Sequence, residues 1–548
     1  MATPRISGRP LRALASFSRT RPAAALLYEM ARRDLRIGEL AALPPSLFGD
    51  VPLDNAPLAG RPPRGGVDAG LPLPAPPWSG TSATRVDAYK TGATTPPRAV
   101  ARAIAAARAL ASRDPSVGPI LDFREEAARA EADASSERWN RGAPLGLFDG
   151  VPFVVKEEMS VAGLPARGGS DLTDATPALR DGTCVARLRA AGAIVIGTTP
   201  MTEYGMTPLG FNPKRIMPRN PHSLHHVAGG SSTGSGVAVA TGLVPFAVGG
   251  DGGGSIRIPS ALCGVFGLKP TWGRVSRRGD VLGGTVGHLG PLASSTLDLA
   301  RFLDVVSGVD PEDGETALAP SLAEGSLVRA LSRGVRGVRI GVEPSEWEVA
   351  APEVARAGRA ALRALEAEGA VLVELRLELA RWAAPIGYLT IGLEALASMW
   401  DLYAAGAAFN PDLALGHAAL GRVSAIEYLQ AQRLRAGLRR ELASAMQGID
   451  VLALPTTVTT ATRVTDVEFE GGFIDPPAID AMCRYNFLGN LTGLPALSAP
   501  VGLDARSLPI GLQILGDAWD EATVLAVGAH LERMGAAEVR RPGVVADI

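Results

Sequence analysis

The sequence predicts an α/β fold, and two observations carry that prediction. From about residue 183 onward, short apolar runs alternate with segments of helical pattern. A helix over 183–191 leads into the run Ala193-Ile-Val-Ile-Gly, and a helix over 352–368 stands between Val338-Arg-Ile-Gly-Val and Ala370-Val-Leu-Val-Glu-Leu. The composition is that of a globular chain with ample core material: 46% apolar residues, 20% charged and 5% aromatic. A length of 548 residues has room for several average domains, although large α/β enzymes commonly run as one unit.

Taken in order, residues 1–50 are basic. Leu11, Leu14, Phe17 and then Leu26, Leu27 and Met30 recur at rough helical spacing between arginines. The pattern predicts a packing arm or a frayed extension, with a membrane-surface helix as the alternative. Residues 51–98 are rich in Pro and Gly, as in Arg61-Pro-Pro-Arg-Gly-Gly and Leu73-Pro-Ala-Pro-Pro, and read as an extended surface connection. An alanine-rich helix starts at Pro97, where proline suits a first turn, and a second helix covers 124–140. After a turn at 146–150, Val151-Pro-Phe-Val-Val is a short apolar strand that ends at Lys156. Residues 198–227 form a long polar loop of the kind that borders binding sites. It holds His222, His225 and His226, which lack carboxylate or cysteine partners at ligand spacing and read as exposed loop residues, not metal ligands.

Further on, 271–292 reads as Gly-rich and irregular, 296–306 as a helix, and 310–335 as a surface excursion. Residues 377–447 are mostly helical, with Trp382, Tyr388, Trp400 and Tyr403 adding aromatic bulk. Asp450-Val-Leu-Ala-Leu-Pro-Thr is a buried strand, 490–501 and 508–516 supply two more, and 520–535 is a closing helix.

Several function classes are excluded at once. A formal net charge of -2 leaves no nucleic-acid footprint. Three widely spaced cysteines, Cys184, Cys263 and Cys483, fit neither a disulfide framework nor a zinc pattern and favour a reducing, cytoplasmic setting. No apolar run approaches the ~18–20 residues that span a bilayer. The N-terminus lacks the apolar core and cleavage site of a signal peptide, and Arg32-Arg33 lacks the run that would make it a twin-arginine signal. Lysine is rare: only Lys90, Lys156, Lys214 and Lys269 occur, and arginine supplies the remaining positive charge. A base must be able to lose its proton, which arginine cannot do, so these four lysines stand out.

The chemistry concentrates in 228–270. Two glycine-serine loops, Gly229-Gly-Ser-Ser-Thr-Gly-Ser-Gly and Gly249-Gly-Asp-Gly-Gly-Gly-Ser, flank an apolar segment. Such loops can aim several backbone N–H groups into one cavity, which suits a developing oxyanion. A flexible linker has similar composition but is rarely fastened to runs such as Val237-Ala-Val-Ala. Ser231, Ser255 and a Lys156 made neutral by burial could form a relay in which the lysine takes a proton from one serine, which takes it from the other. Taken alone, a lysine that ends a strand is a solvated cap.

These residues resemble the amidase signature family. The likeness rests on Val151-Pro-Phe-Val-Val-Lys156, Gly229-Gly-Ser-Ser-Thr-Gly-Ser, Gly250-Asp-Gly-Gly-Gly-Ser-Ile-Arg-Ile-Pro259, Cys263-Gly-Val-Phe-Gly-Leu-Lys-Pro270, Asn490-Leu-Thr-Gly-Leu-Pro-Ala and Leu508-Pro-Ile-Gly-Leu-Gln, in the family's order, and spans roughly 85–535. The resemblance implies a central mixed sheet covered by helices on both faces. It implies an arm and connection over 1–84 and an amidase domain over 85–540. Within that domain the catalytic core is about 145–300, a helical substrate-pocket region is about 377–447, and 450–535 holds the C-terminal strands and helix. It implies Lys156 as base, Ser231 as bridging serine on a cis peptide and Ser255 as nucleophile. Gly252, Gly253 and Gly254 would form the oxyanion hole, with Asp251, Arg257 and Ser232 as structural support. Thr233 and Gly252 depart from the commoner residues of the pattern. The implied reaction hydrolyses a small-molecule amide of linear carbon–nitrogen type through an acyl-enzyme, without metal or cofactor, in a chain that could be a homodimer.

Two rivals remain. One is the glutamine-hydrolysing component of a tRNA-dependent amidotransferase. In that reading Cys483 stands where such proteins carry an aspartate for the glutamine amino group. The other is an α/β-hydrolase esterase, since Gly230-Ser-Ser232-Thr-Gly234 matches G-x-S-x-G. No clear strand precedes that motif, and His225-His226 lies on the wrong side of it; His288, His417 and His530 are the remaining candidates for its base. The loops 198–227, 271–292 and 377–485 are expected to shape the acyl pocket, their Met, Tyr, Trp and Leu content favouring an apolar or aromatic acyl group.

Overall fold

The computed structural model describes residues 4–47, 58–60 and 68–548. Ten strands form one mixed sheet. In chain order they are β1 (Pro152–Lys156), β2 (Ile194–Thr199), β3 (Phe246–Asp251), β4 (Phe266–Lys269), β5 (His288–Ala293), β6 (Arg339–Val342), β7 (Val371–Glu374), β8 (Val451–Pro455), β9 (Ala496–Leu503) and β10 (Pro509–Gly516). Their order across the sheet is β2-β1-β3-β5-β4-β9-β10-β8-β6-β7. Parallel pairing holds at the two ends, β2-β1-β3 and β8-β6-β7, and antiparallel pairing holds through the middle.

Helices flank the sheet, so the central strands are buried on both faces and read as near-continuous apolar runs. Phe246, at the start of β3, is fully buried, with its ring 4.8 Å from Phe148, 5.4 Å from Phe153 and 6.0 Å from Phe302. A second apolar cluster joins the helix α3 (Ala383–Ser398) to the helix Ala425–Ala445 and to the helix α5 (Asn486–Thr492).

The N-terminal segment is a docked arm. Ile6–Ser7 pairs antiparallel with Phe473–Ile474, and the helices Gly8–Phe17 and Arg21–Asp34 bury Leu11, Ala24 and Leu27 against Leu415, Ala418 and Ala419 of the helix α4 (Pro411–Leu420). Its third helix, Ile37–Ala41, adds Ile37 and Leu40 to the second cluster.

Four local expectations are corrected. β5 falls largely within the stretch read as irregular, because His288-Leu-Gly-Pro-Leu-Ala carries Gly and Pro at inner strand positions and breaks the apolar pattern, and the sequence reading assigns no element to β4, Phe266-Gly-Leu-Lys. Residues 490–492 belong to α5; the strand starts only at Ala496. The supposed surface excursion contains the helix Ser326–Ala330, which buries Leu327, Ala330 and Leu331. The extended connection is interrupted by the helix Ser82–Lys90, opened by a capping box on Thr81, while Arg61 to Gly66 lie outside the described residues. No described helix is long and apolar enough to cross a membrane.

Because Phe246 anchors the strand that leads into the glycine-rich loop, Phe246→Ala is expected to cost about 3–5 kcal/mol, read as a shift of the urea unfolding midpoint without a change of slope.

Candidate active site

Parallel pairing of β1 with β3, through Val154↔Ala247 and Val155↔Val248, places both carboxyl ends at one edge of the sheet. Open α/β sheets bind ligands at this edge. Lys156 is the last residue of β1, and Gly250-Asp251 close β3. The helix α1 (Thr233–Ala240) starts just after Ser231-Ser232 and packs on both strands, and the helix α2 (Arg257–Cys263) follows Ser255. The two glycine-serine segments are thus the turns that enter two short buried helices. The second begins as strand, since Gly249, Gly250 and Asp251 belong to β3.

Lys156 is buried, and Nζ donates to Ser231 Oγ at 2.9 Å and to Gly250 O at 3.2 Å. A third partner, Glu158, lies at 2.9 Å through Oε2 and is itself buried. These acceptors match the three N–H donors of an ammonium group. The expectation of an amine neutralised by burial alone left this carboxylate out. Asp280 also lines the cavity; burial and then the Glu158 charge hold it well above the usual carboxylate range.

The Gly230–Ser231 peptide is cis. The next residue ties the loops together: Ser232 N–H donates to Ser255 O at 3.2 Å and Ser232 Oγ to Gly250 O at 3.1 Å. Ser231 and Ser255 open on the same cavity, and no direct hydrogen bond joins their hydroxyls in this structure.

Asp251 and Arg257 form a fully buried, two-pronged pair, Nε to Oδ2 at 3.0 Å and Nη2 to Oδ1 at 2.9 Å. Arg257 also donates to Asn486 O, Gln513 Oε1 and Asn490 Oδ1, and Asn490 Nδ2 donates back to Asp251 O and Oδ1. Burial would raise the Asp251 pKa, but Arg257, with help from Asn490 and Lys269, holds it below the usual carboxylate range. The same carboxylate accepts from Gly254 N at 2.7 Å and from Ile256 N at 3.1 Å. The expected oxyanion donor Gly254 is therefore engaged. Its φ of +117° also requires glycine. The amides of Gly252, Gly253 and Ser255 have no hydrogen-bond partner among the described residues.

A cavity of about 260 Å³ opens beside Lys156, Ser231 and Ser255, walled by Tyr204, Met206, Asp280–Gly283, Val286, His288 and Glu394. A second, apolar pocket of about 110 Å³ also meets Ser255 and adjoins the first, walled by residues that include Met206, Tyr388, Ile391, Cys483 and Phe487. The three expected loops do shape this space, joined by Phe487 and by Leu35 of the arm, which sequence reasoning missed.

The histidines do not form a triad. His288 lines the larger cavity, but its Nδ1 pairs with Val286 O at 2.9 Å, and burial, then Lys269, lowers its pKa well below the usual value. Of the loop histidines only His225 is exposed; His226 is buried and pairs with Ser223, and His222 meets Cys263 O. Glu158 and the Asn486–Asn490–Gln513 set were also unforeseen. Glu158 could have been suspected as a second carboxylate beside the lone lysine of Lys156-Glu-Glu.

This geometry defines a serine-and-lysine site on an α/β sheet. The chain belongs to the amidase family, whose profile, described as Amidase, matches residues 103–525. It is 33% identical over 469 residues to a fatty acid amide hydrolase of Oryza sativa subsp. indica, covering 84% of this chain and 77% of that one. It is 36% identical over 460 residues to a glutamyl-tRNA(Gln) amidotransferase subunit of Chloroflexus aggregans, covering 78% and 91%. Among solved structures, a protein described in connection with the evolutionary origins of an s-triazine catabolic enzyme superposes with a TM-score of 0.76 at 31% identity, covering 84% of this chain and all of the other. The fold and the relatives make this chain an amidase-family hydrolase acting on amides.

Two substitutions test the site's frame. A Cβ on Gly250 would fall 1.6 Å from Glu158 Oε1, so Gly250→Ala should push Glu158 off Lys156; activity should fall at least ~10-fold, and urea denaturation should show a loss of about 1–3 kcal/mol from overpacking and the displaced buried carboxylate. Asp251→Asn strands Arg257 and should cost about 3–5 kcal/mol near neutral pH. A depressed carboxylate pKa gives stability that is present above the unfolded value and lost as pH falls through the folded one. The gap between wild type and variant, measured by denaturation across pH, should therefore be full above about pH 4 and shrink below it.

Proposed function

We propose that the protein hydrolyses the carboxylic amide of a small molecule to the acid and ammonia or an amine, through an acyl-enzyme on Ser255. The observation that carries this reading is the 2.9 Å contact from the buried Lys156 Nζ to Ser231 Oγ, at a cavity on which Ser255 also opens.

In this reading Ser255 Oγ attacks the amide carbon, and its proton passes to Ser231, whose own proton passes to Lys156. Lys156 must therefore start the step uncharged, with Glu158 stabilising the ammonium that forms. The carbonyl oxygen becomes an oxyanion, held by the free amides of Gly252, Gly253 and Ser255 in place of the Gly252–Gly254 set expected from the sequence. Collapse breaks the carbon–nitrogen bond, and the leaving nitrogen takes the proton back along the same path. Water then attacks the ester, its proton passing through Ser231 to Lys156, and that proton returns to Ser255 Oγ as the carbon–oxygen bond breaks and the acid leaves.

The glutaminase reading has the relative in Chloroflexus aggregans in its favour. Against it, Cys483 sits in the apolar pocket beside Tyr388 and Phe487, with its thiol pushed up to about 12 by burial. A neutral thiol offers no charge to hold a substrate ammonium.

A panel of primary, aryl and cyclic amides, together with glutamine, tests both readings. Ser255→Ala should lower kcat on the preferred amide by about 10⁴-fold or more while the protein stays folded. Glutamine should release no ammonia above background. Undiminished activity in Ser255→Ala sinks the assignment of the nucleophile, and efficient glutamine hydrolysis favours the second reading.

A further inference from the structure

The family match begins at residue 103, yet the N-terminal arm reaches the nucleophile loop. Leu35 stands between the arm helices Arg21–Asp34 and Ile37–Ala41 and forms part of the wall of the apolar pocket that Ser255 and Gly253 also line. The chain bends there through Arg36, a non-glycine residue held at φ 54°. Such a conformation is uncommon and persists only where its surroundings fix it. Here they do: the Arg36 guanidinium lies over the Trp382 ring at 3.8 Å, Ile37 and Leu40 are buried in the core on either side of the next turn, and Tyr28 donates to Glu427 at 2.7 Å. Leu35 is therefore presented by a docked and braced segment.

The two spaces beside Ser255 differ in chemistry. The larger holds Lys156, Ser231, Glu158, Asp280 and Glu394, alongside apolar residues such as Leu282, Met399 and Leu402. The smaller is walled by Leu35, Met206, Ile258, Ile391, Leu420 and Phe487, with Cys483 and the Tyr388 ring, and carries no charged side chain. The leaving nitrogen must collect its proton from Ser231, so it faces the larger cavity. The acyl group, on the opposite side of the carbonyl carbon, then lies in the smaller one.

We propose that Leu35 of the N-terminal arm is a specificity-determining wall of the acyl pocket, and that the enzyme takes amides of compact, apolar acyl groups such as a short branched chain or a single ring. The proposal rests on Ser255 being the nucleophile. A space of about 110 Å³ is of the order of an engineered cavity of ~150 Å³ that holds one benzene ring. Shortening Leu35 opens the pocket toward the arm, and enlarging it fills the pocket.

The test uses four primary amides, so that the leaving group is constant: acetamide, isobutyramide, benzamide and 4-tert-butylbenzamide. Full-length wild type, Leu35→Ala, Leu35→Trp, Ser255→Ala and a control, Leu14→Ala, which alters the arm away from the pocket, are compared by kcat/KM and thermal midpoint. Leu35→Ala should raise the ratio of 4-tert-butylbenzamide to isobutyramide at least ~10-fold, and Leu35→Trp should depress benzamide at least ~10-fold relative to acetamide. Leu14→Ala should leave both ratios unchanged, whatever its midpoint. If Leu35 variants scale all four substrates equally or not at all, the arm has no role in selection. If wild type turns over none of the four, the substrate class is wrong. Activity surviving in Ser255→Ala overturns the nucleophile assignment, independently of the Leu35 ratios.

Discussion

The site depends on one buried ion pair. Asp251 and Arg257 sit on either side of the proposed nucleophile and are closed off from water. Burying two charges is costly, and the cost is offset only where every remaining donor and acceptor is matched. Here it is met by Asn486 and Asn490 of α5 and Gln513 of β10, from distant parts of the chain, and by the nearby amides of Gly254 and Ile256. The loop is consequently shaped by the C-terminal strands as much as by its own glycines. Gly254 gives its N–H to this network, which leaves the neighbouring amides free for a substrate oxygen.

A second constraint is topological. Two parallel neighbours, β1 and β3, end side by side, and the turn into α1 lies against them. This sets a lysine, a serine and the approach to a second serine at one sheet edge without any contact between them in sequence. The lysine stands in a pocket that also holds a carboxylate, so its charge is shared with Glu158 as well as with the hydroxyl it would serve. That proximity makes Glu158 part of the electrostatic setting of any proton transfer through Lys156.

The two spaces that meet at Ser255 are unequal: charged side chains line only the larger, beside apolar ones, and the smaller has none. An amide is asymmetric in the same sense once its nitrogen begins to leave. The arm closes the apolar flank, although it stands far outside the region common to the family. Its anchor is ordinary packing: Leu11, Ala24 and Leu27 on α4, and Arg36 across Trp382.

Much of this was legible in the chain. The alternation of Ala193-Ile-Val-Ile-Gly with helical segments predicts an α/β fold, because strands covered by helices on both faces must be apolar throughout. Lysine is so rare that its four positions stand out as candidate bases, among which the resemblance to the amidase signature family singles out Lys156, and Gly252-Gly-Gly-Ser255 reads as a loop that bares its amides. What escaped was decided by tertiary contacts. β5 carries Gly290, where Leu268 O of the neighbouring strand leaves no room for a Cβ, and Pro291 follows it, which erases the apolar period by which strands are recognised. Nothing local to Gly254 shows that its amide turns back to Asp251, nothing near residue 156 ranks Glu158 above Glu157 as its partner, and nothing at residue 35 reveals that it meets residue 255. Local pattern fixes which backbone a segment prefers; which side chains share a cavity depends on where distant segments dock, and no short-range period encodes that.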